Sequence, residues 1–140
     1  MHSQAEIEKL LKRLNNADGI TRVKILHRLL NMGPVVVSPT IDFAEDESVS
    51  TSVRFWAIQA LGDVDARAET EAKIQKSLRK LIASPVAELR AAAAAAALER
   101  YGRGAIHWVE PLLDDKTELP EFWWSEDVSG YVTQLLSEVV

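Results

Sequence analysis

Val53-Arg54-Phe55-Trp56-Ala57-Ile58-Gln59-Ala60-Leu61-Gly62 carries the pattern on which the whole chain is built. Val53, Trp56, Ala57, Ala60, Leu61 and Val64 recur at the spacing of one buried helix face. The same spacing returns as Leu89-Arg90-x-x-Ala93-x-x-Ala96-Ala97 and, more loosely, as Val23-Lys24-x-x-His27-x-x-Leu30. A fourth copy is Val128-x-x-Tyr131-Val132-x-x-Leu135-Leu136. The anchors 23, 53, 89 and 128 are separated by 30, 36 and 39 residues. Each copy is read as the second helix of a helix–turn–helix unit. Such a unit cannot bury its own stripe, so neighbouring units must stack.

Outward from these anchors the periodicity stays helical. Ile7, Leu10, Leu11 and Leu14 follow a Ser3-to-Glu6 capping box, and Asp18 caps the segment that Gly33 ends. The pair Ser38-Pro39 predicts the start of a short helix ending at Glu45. A long helix over about 66–83 buries Ile74, Leu78, Leu81 and Ile82 and turns Lys73, Lys76, Arg79 and Lys80 outward. Ser84-Pro85 opens the alanine helix, which closes at Gly102. A short helix is expected over 105–114, a loop over 116–124, and a last helix capped by Ser125. No stretch has the period of a strand. The reading is all-α: one domain spanning 1–140, about eight helices in units of about 4–32, 33–63, 66–101 and 104–140.

The stretch from Gly33-Pro34 to Gly62 has Pro39 in its first helix and Asp46 in the turn. Val53-Arg54 and Ala60-Leu61-Gly62 follow in its second helix, and the whole resembles a HEAT-like repeat of the armadillo superfamily. The segment 84–102 shares Arg90 and the small-residue stripe but lacks the turn aspartate. The first and last units match loosely, with Lys24 and Ser129 at the arginine position. The resemblance implies a short α-solenoid of about four helix pairs whose usual work is binding other macromolecules. It implies no reaction, because fold does not fix function.

Composition narrows the chemistry. The 140 residues contain no cysteine, which excludes disulfides, thiolate catalysis and Cys-ligated metals. The longest apolar run, Ala91 to Ala97, is far short of the ~20 residues that a membrane span requires. With no secretory leader in the pattern, the expected location is cytoplasmic. The net charge of −5 is unevenly placed. Residues 1–104 hold 15 Lys and Arg against 13 Asp and Glu, whereas residues 105–140 hold one lysine against eight carboxylates. That acidic end also contains Trp108, Phe122, Trp123, Trp124 and Tyr131, and suits a basic protein partner. Nucleic acid fits the charge poorly.

Candidate residues follow from these patterns. Phe55, with Ile25 and Ala91 at its equivalents, lies 160–200° around the helix from Val53 and Ala57 at ~100° per residue. It either packs between units or lines a groove on the second helices. Ala91, Ala94 and Ala95 give the alanine helix a featureless open side. Phe122, Trp123 and Trp124, with Glu118 and Glu121, either cap the stack or anchor a partner, since large aromatics dominate binding hot spots. Arg54 and Arg90 are read as structural, bonding turn carboxylates such as Asp46 and Glu88. His27 is read as a core histidine. His107 with Glu110 lacks the further Glu-x-x-His elements of a di-metal bundle, so no metal is assigned. No cofactor, nucleophile elbow or phosphate loop is recognised, and no carboxylate pair stands out as an acid–base couple. The leading expectation is a non-enzymatic interaction module or adaptor. The alternatives are an enzyme or enzyme subunit on this scaffold, lyase-like toward bilins or glycosylase-like toward DNA, and a structural subunit of a larger assembly.

Overall fold

The computed structural model describes residues 4–120, 123 and 125–139. Seven helices of nine or more residues are α1 (Gln4–Arg13), α2 (Gly19–Asn31), α3 (Val37–Glu45), α4 (Thr51–Asp63), α5 (Ala68–Ile82), α6 (Ala87–Tyr101) and α8 (Val128–Val139). A single turn, α7 (Ile106–Val109), lies between the 3-10 segments Gly102–Ala105 and Glu110–Asp114. Where one helix over 105–114 was expected, Pro111 falls just after α7 and removes a donor, so the chain tightens into 3-10 geometry. The only extended pairing among the described residues is an isolated bridge between Glu118 and Asp127.

Helix ends have local causes. Asp18 Oδ1 accepts the Thr21 N–H at 2.7 Å to start α2, and the Ser50 hydroxyl accepts the Val53 N–H at 3.3 Å to start α4. The last helix is capped by Asp127, which accepts the Gly130 N–H at 2.7 Å, and not by Ser125. Helix α3 starts at Val37, earlier than Ser38-Pro39, because the preceding 3-10 turn runs straight into it. Pro39 then lies buried in the first turn, where its missing N–H has no intrahelical acceptor to lose. Gly33 at φ 78° and Gly102 at φ 56° follow α2 and α6 in the backbone region that other residues avoid. Ser3, the start of the expected first capping box, lies outside the described residues.

Two rows of contact organise the helices. Helix α3 packs on α1 and α5, while α4 packs on α2 and α6, and α6 continues to α8. The rows are cross-linked by α3 on α4 and α5 on α6. The closest pair is α4 with α6. A Cβ at Gly62 would meet Ala96 Cα and Cβ at 3.3 Å, so small residues let these two backbones approach. Leu61, Ile74, Leu78, Leu89, Ala93 and Ala97 are all 0% exposed between the rows. Ile58, outside the expected stripe, is also fully buried because α4 has helices on more than one side.

Arg54 and Arg90 act alike at helix ends, and Arg90 meets a turn carboxylate, Asp115 and not Glu88, whereas Arg54 bonds a carbonyl. Arg54 is 7% exposed, and its Nε donates to the Ala44 carbonyl at 3.0 Å, near the carboxyl end of α3. Arg90 Nη1 donates to the Ser84 carbonyl at 2.9 Å, just past α5, and its Nε donates to Asp115 at 2.7 Å. Each arginine therefore ties a second helix to the end of the helix before it, satisfying carbonyls that a helix terminus leaves open. Asp46 instead turns its carboxylate onto Ser48, accepting from its N–H and hydroxyl at 2.9 and 2.7 Å.

Two expectations fail on exposure. In α2 the buried residues are Ile25 and Leu29, whereas Val23 is 66% exposed and His27 lies on the surface. The stripe is rotated because α1 and α4 meet α2 from a side different from the one the loose repeat match implied. In α6 the supposed open side is closed: Ala91 and Ala94 are both 0% exposed, since α4, α5 and α8 surround the helix. Ala95 stays half-buried.

Candidate partner-binding groove

The amino-terminal turns of α4 place Thr51, Ser52, Phe55 and Trp56 on the side of α4 that looks across α2 and α6. With Arg22 of α2 and Glu88 of α6 they enclose a groove of about 440 Å³. Phe55 and Trp56 are half-buried, so each ring gives one part to the core and another to the groove. Trp56, read from sequence as a core residue, belongs to this lining as well. Its partner shows why: the Arg22 guanidinium stacks over its indole at 4.5 Å. Arg22 Nη2 also donates to the Ala17 carbonyl at 3.0 Å, which holds the cation in place over the ring.

Behind the groove, the aromatic candidates form one chain of edge-to-face contacts. The Phe55 ring lies 4.8 Å from Trp56 and 5.4 Å from Trp123, and Trp123 lies 4.9 Å from Tyr131. Trp123 is only 7% exposed. As a direct partner anchor it is corrected: its indole is wedged between α4 and α8 and supports Phe55 from behind. The carboxy-terminal loop and the second-helix surface, separate candidates in the sequence, are thus one structure. Leu119 N–H to the Glu126 carbonyl and Val128 N–H to the Thr117 carbonyl, at 2.9 and 3.0 Å, close the loop at its base. Glu118 stands exposed there. Glu121, Phe122 and Trp124 lie outside the described residues. Ile25 and Ala91, the equivalents of Phe55, are 3% and 0% exposed, so the expected apolar line does not run along the row.

A larger cleft of about 790 Å³ lies between α1 and α2, but Glu8, Lys9, Lys12, Arg13 and Asp18 line it without any large apolar side chain. It offers charge and no anchor. Sequence reasoning also missed two ionisable clusters. Arg100 holds Glu71 through two bonds of 2.7 and 2.6 Å and donates from Nη1 to the Leu61 and Val64 carbonyls. Tyr101 donates to the same carboxylate at 2.6 Å. The Arg100 hydrogen bond, opposed by burial and aided by Tyr101, holds Glu71 below the ordinary carboxylate range, and burial pushes the Tyr101 phenol up. Glu71 near the start of α5 and Arg100-Tyr101 at the end of α6 meet because the two helices run antiparallel. The second cluster pairs Asp63 with Glu99 at the carboxyl ends of α4 and α6. A hydrogen bond to Asp63, with burial and the neighbouring charge, pushes Glu99 up to about 7. His107 Nδ1 lies 3.7 Å from Glu110 on an exposed turn, and no metal-holding group of three or more ligands occurs among the described residues.

No helix among the described residues is long and apolar enough to cross a membrane. No protein-family model matches the chain, and neither curated proteins nor solved structures include a significant match to it.

Proposed function

We propose that this chain is a short HEAT-like α-solenoid acting in the cytoplasm as an adaptor that binds a protein segment in the groove between α2, α4 and α6. The carrying observation is an aromatic floor, Phe55 and Trp56, set between a fixed cation and a carboxylate on neighbouring second helices. A groove of about 440 Å³ takes a few side chains, not a folded domain, which suits an extended or helical segment with one large apolar anchor. Glu88 at the rim and the −7 balance of residues 105–140 favour basic residues beside that anchor. Fully desolvated aromatic pockets dominate binding energy, so the rings supply affinity and the charges supply selection.

Ser52 is exposed on the groove wall, so Ser52→Arg fills the groove without touching the core. The immobilised full chain should retain a protein from native lysate that Ser52→Arg and Glu88→Lys both lose and that Lys9→Glu, in the other cleft, keeps. Purified partner should then quench or shift the tryptophan emission, and Trp56→Phe should remove most of that change. Retention unaffected by Ser52→Arg, or no salt-sensitive retention at all, defeats the reading.

A further inference from the structure

We propose that the two ends of the helix row bind each other between copies, the outer face of α2 in one chain seating the acidic α8 end of the next. This does not depend on the groove. At the amino-terminal end, Ile20 and Val23 stand one turn apart on α2 at 72% and 66% exposed, the most exposed large apolar side chains among the described residues. Lys24, His27 and Arg28 are exposed beside them. Helix α2 leans mainly on α1 and α4, and among the described residues Ile20 and Val23 stay largely uncovered.

The charges of the two ends choose the occupant. Residues 1–31 carry six Lys and Arg against three Asp and Glu, while residues 105–140 carry one lysine against eight carboxylates. Pairing the α2 face with itself about its middle would set Lys24 against its own copy, which disfavours that contact. At the other end, α8 turns Thr133, Gln134, Ser137 and Glu138 to solvent, with Glu126 exposed nearby and Leu135 and Leu136 half-buried at its edges. Setting this helix beside α2 of another chain continues the row α2, α4, α6, α8 by one more element. It covers Ile20 and Val23 and brings Lys24 to the Glu138 carboxylate, while Arg28 keeps Glu6 of its own chain at 3.6 Å. The two surfaces differ, so the contact is heterologous and extends into a row of copies or closes into a ring. Its charge pairs are exposed, so it weakens as salt rises.

Sedimentation of the full chain over a wide concentration range, at low and high salt, tests this. At low salt the average mass should climb above the single-chain 15.6 kDa with concentration, and high salt should return it there. Lys24→Glu alone and Glu138→Lys alone should each remain single chains with unchanged helical circular dichroism, since both sites are exposed. Mixing the two variants should restore association, because the intact α8 end of one meets the intact α2 face of the other. A single-chain mass under every condition overturns the proposal. So does association that survives either variant alone, or that mixing fails to restore.

Discussion

Helices α2 and α6 occupy equivalent places in the same row and carry related spacings, yet their surroundings are opposite. Helix α6 has α4, α5 and α8 around it, and seven of its residues from Leu89 to Ala97 are at most 3% exposed. Helix α2 has its main neighbours on one side and leaves Ile20, Val23, Lys24 and His27 in water. The difference teaches that a place in a shared spacing acquires its burial from the helices flanking it. Alanine suits α6 because neighbours approach closely, whereas larger apolar residues on α2 are half-used.

The ion pairs of the two helices give the sharpest test. Arg100 is 12% exposed and serves Glu71 and two carbonyls, whereas Arg28 meets Glu6 at 3.6 Å with 63% of its side chain exposed. Arg100→Met should cost about 3 kcal/mol in urea unfolding, because a partly buried carboxylate and two carbonyls lose their donor. Arg28→Met should cost under about 0.5 kcal/mol. The pH dependence follows the same division. Glu71 is held below its unfolded value, so its contribution is complete above the ordinary carboxylate range and is lost as pH falls through the lowered value. Arg100→Met should remove that part of the acid limb, and Arg28→Met should leave it.

Packing breaks the comparison in the same direction. Ala93 and His27 hold matching places in their sequence spacings, one 0% exposed and the other on the surface. Ala93→Leu should cost about 2 kcal/mol by overpacking, visible as a lower urea midpoint at unchanged slope. His27→Leu should move stability by less than about 0.5 kcal/mol. Equal effects at the two sites would show that α2 is as enclosed as α6.

The helical content was legible, most clearly at 53–62 and 89–98, whose spacings match and which have neighbours on both sides. Arg54 and Arg90 share one place in that spacing and each bonds a carbonyl near the end of the preceding helix, an acceptor that local spacing does not name. The first unit misled because a spacing match does not say from which side α1 and α4 approach. Trp56 and Trp123 exchanged roles for a similar reason. Adjacent aromatics point in different directions, and only the approach of Arg22, Tyr131 and α8 decides which ring meets water. The Glu71–Arg100–Tyr101 and Asp63–Glu99 clusters join residues 29 to 36 positions apart, a pairing that local patterns do not contain.

The carboxyl ends of α4 and α6 extend the comparison, because Asp63 and Glu99 meet where the equivalent position in the first unit is Gly33. Glu99 in the folded chain keeps its proton up to about pH 7, above the ordinary 4.5 of the unfolded group. The folded state therefore binds more protons between these values, and stability falls as pH rises through that window. Solvent screening of this exposed pair limits the loss to under about 1 kcal/mol. Glu99→Gln should flatten the difference between urea midpoints at about pH 5 and about pH 8. A wild-type midpoint that does not fall across this range would dismiss the pair.

The smallest expected effect falls on the α2 face itself. Val23 is 66% exposed, so Val23→Ala in the single chain removes little buried surface. Alanine also has the higher helix propensity, by a few tenths of a kcal/mol, since it has no branched side chain to restrict. Unfolding in dilute solution should therefore show no loss, and a slight gain is expected. At concentrations where copies associate, the same substitution should lower stability, because the methyl groups of Val23 are then withdrawn from water by a neighbouring α8. A loss equal in dilute and concentrated solution would mean that Val23 is covered within its own chain, and the contrast between α2 and α6 would disappear with it.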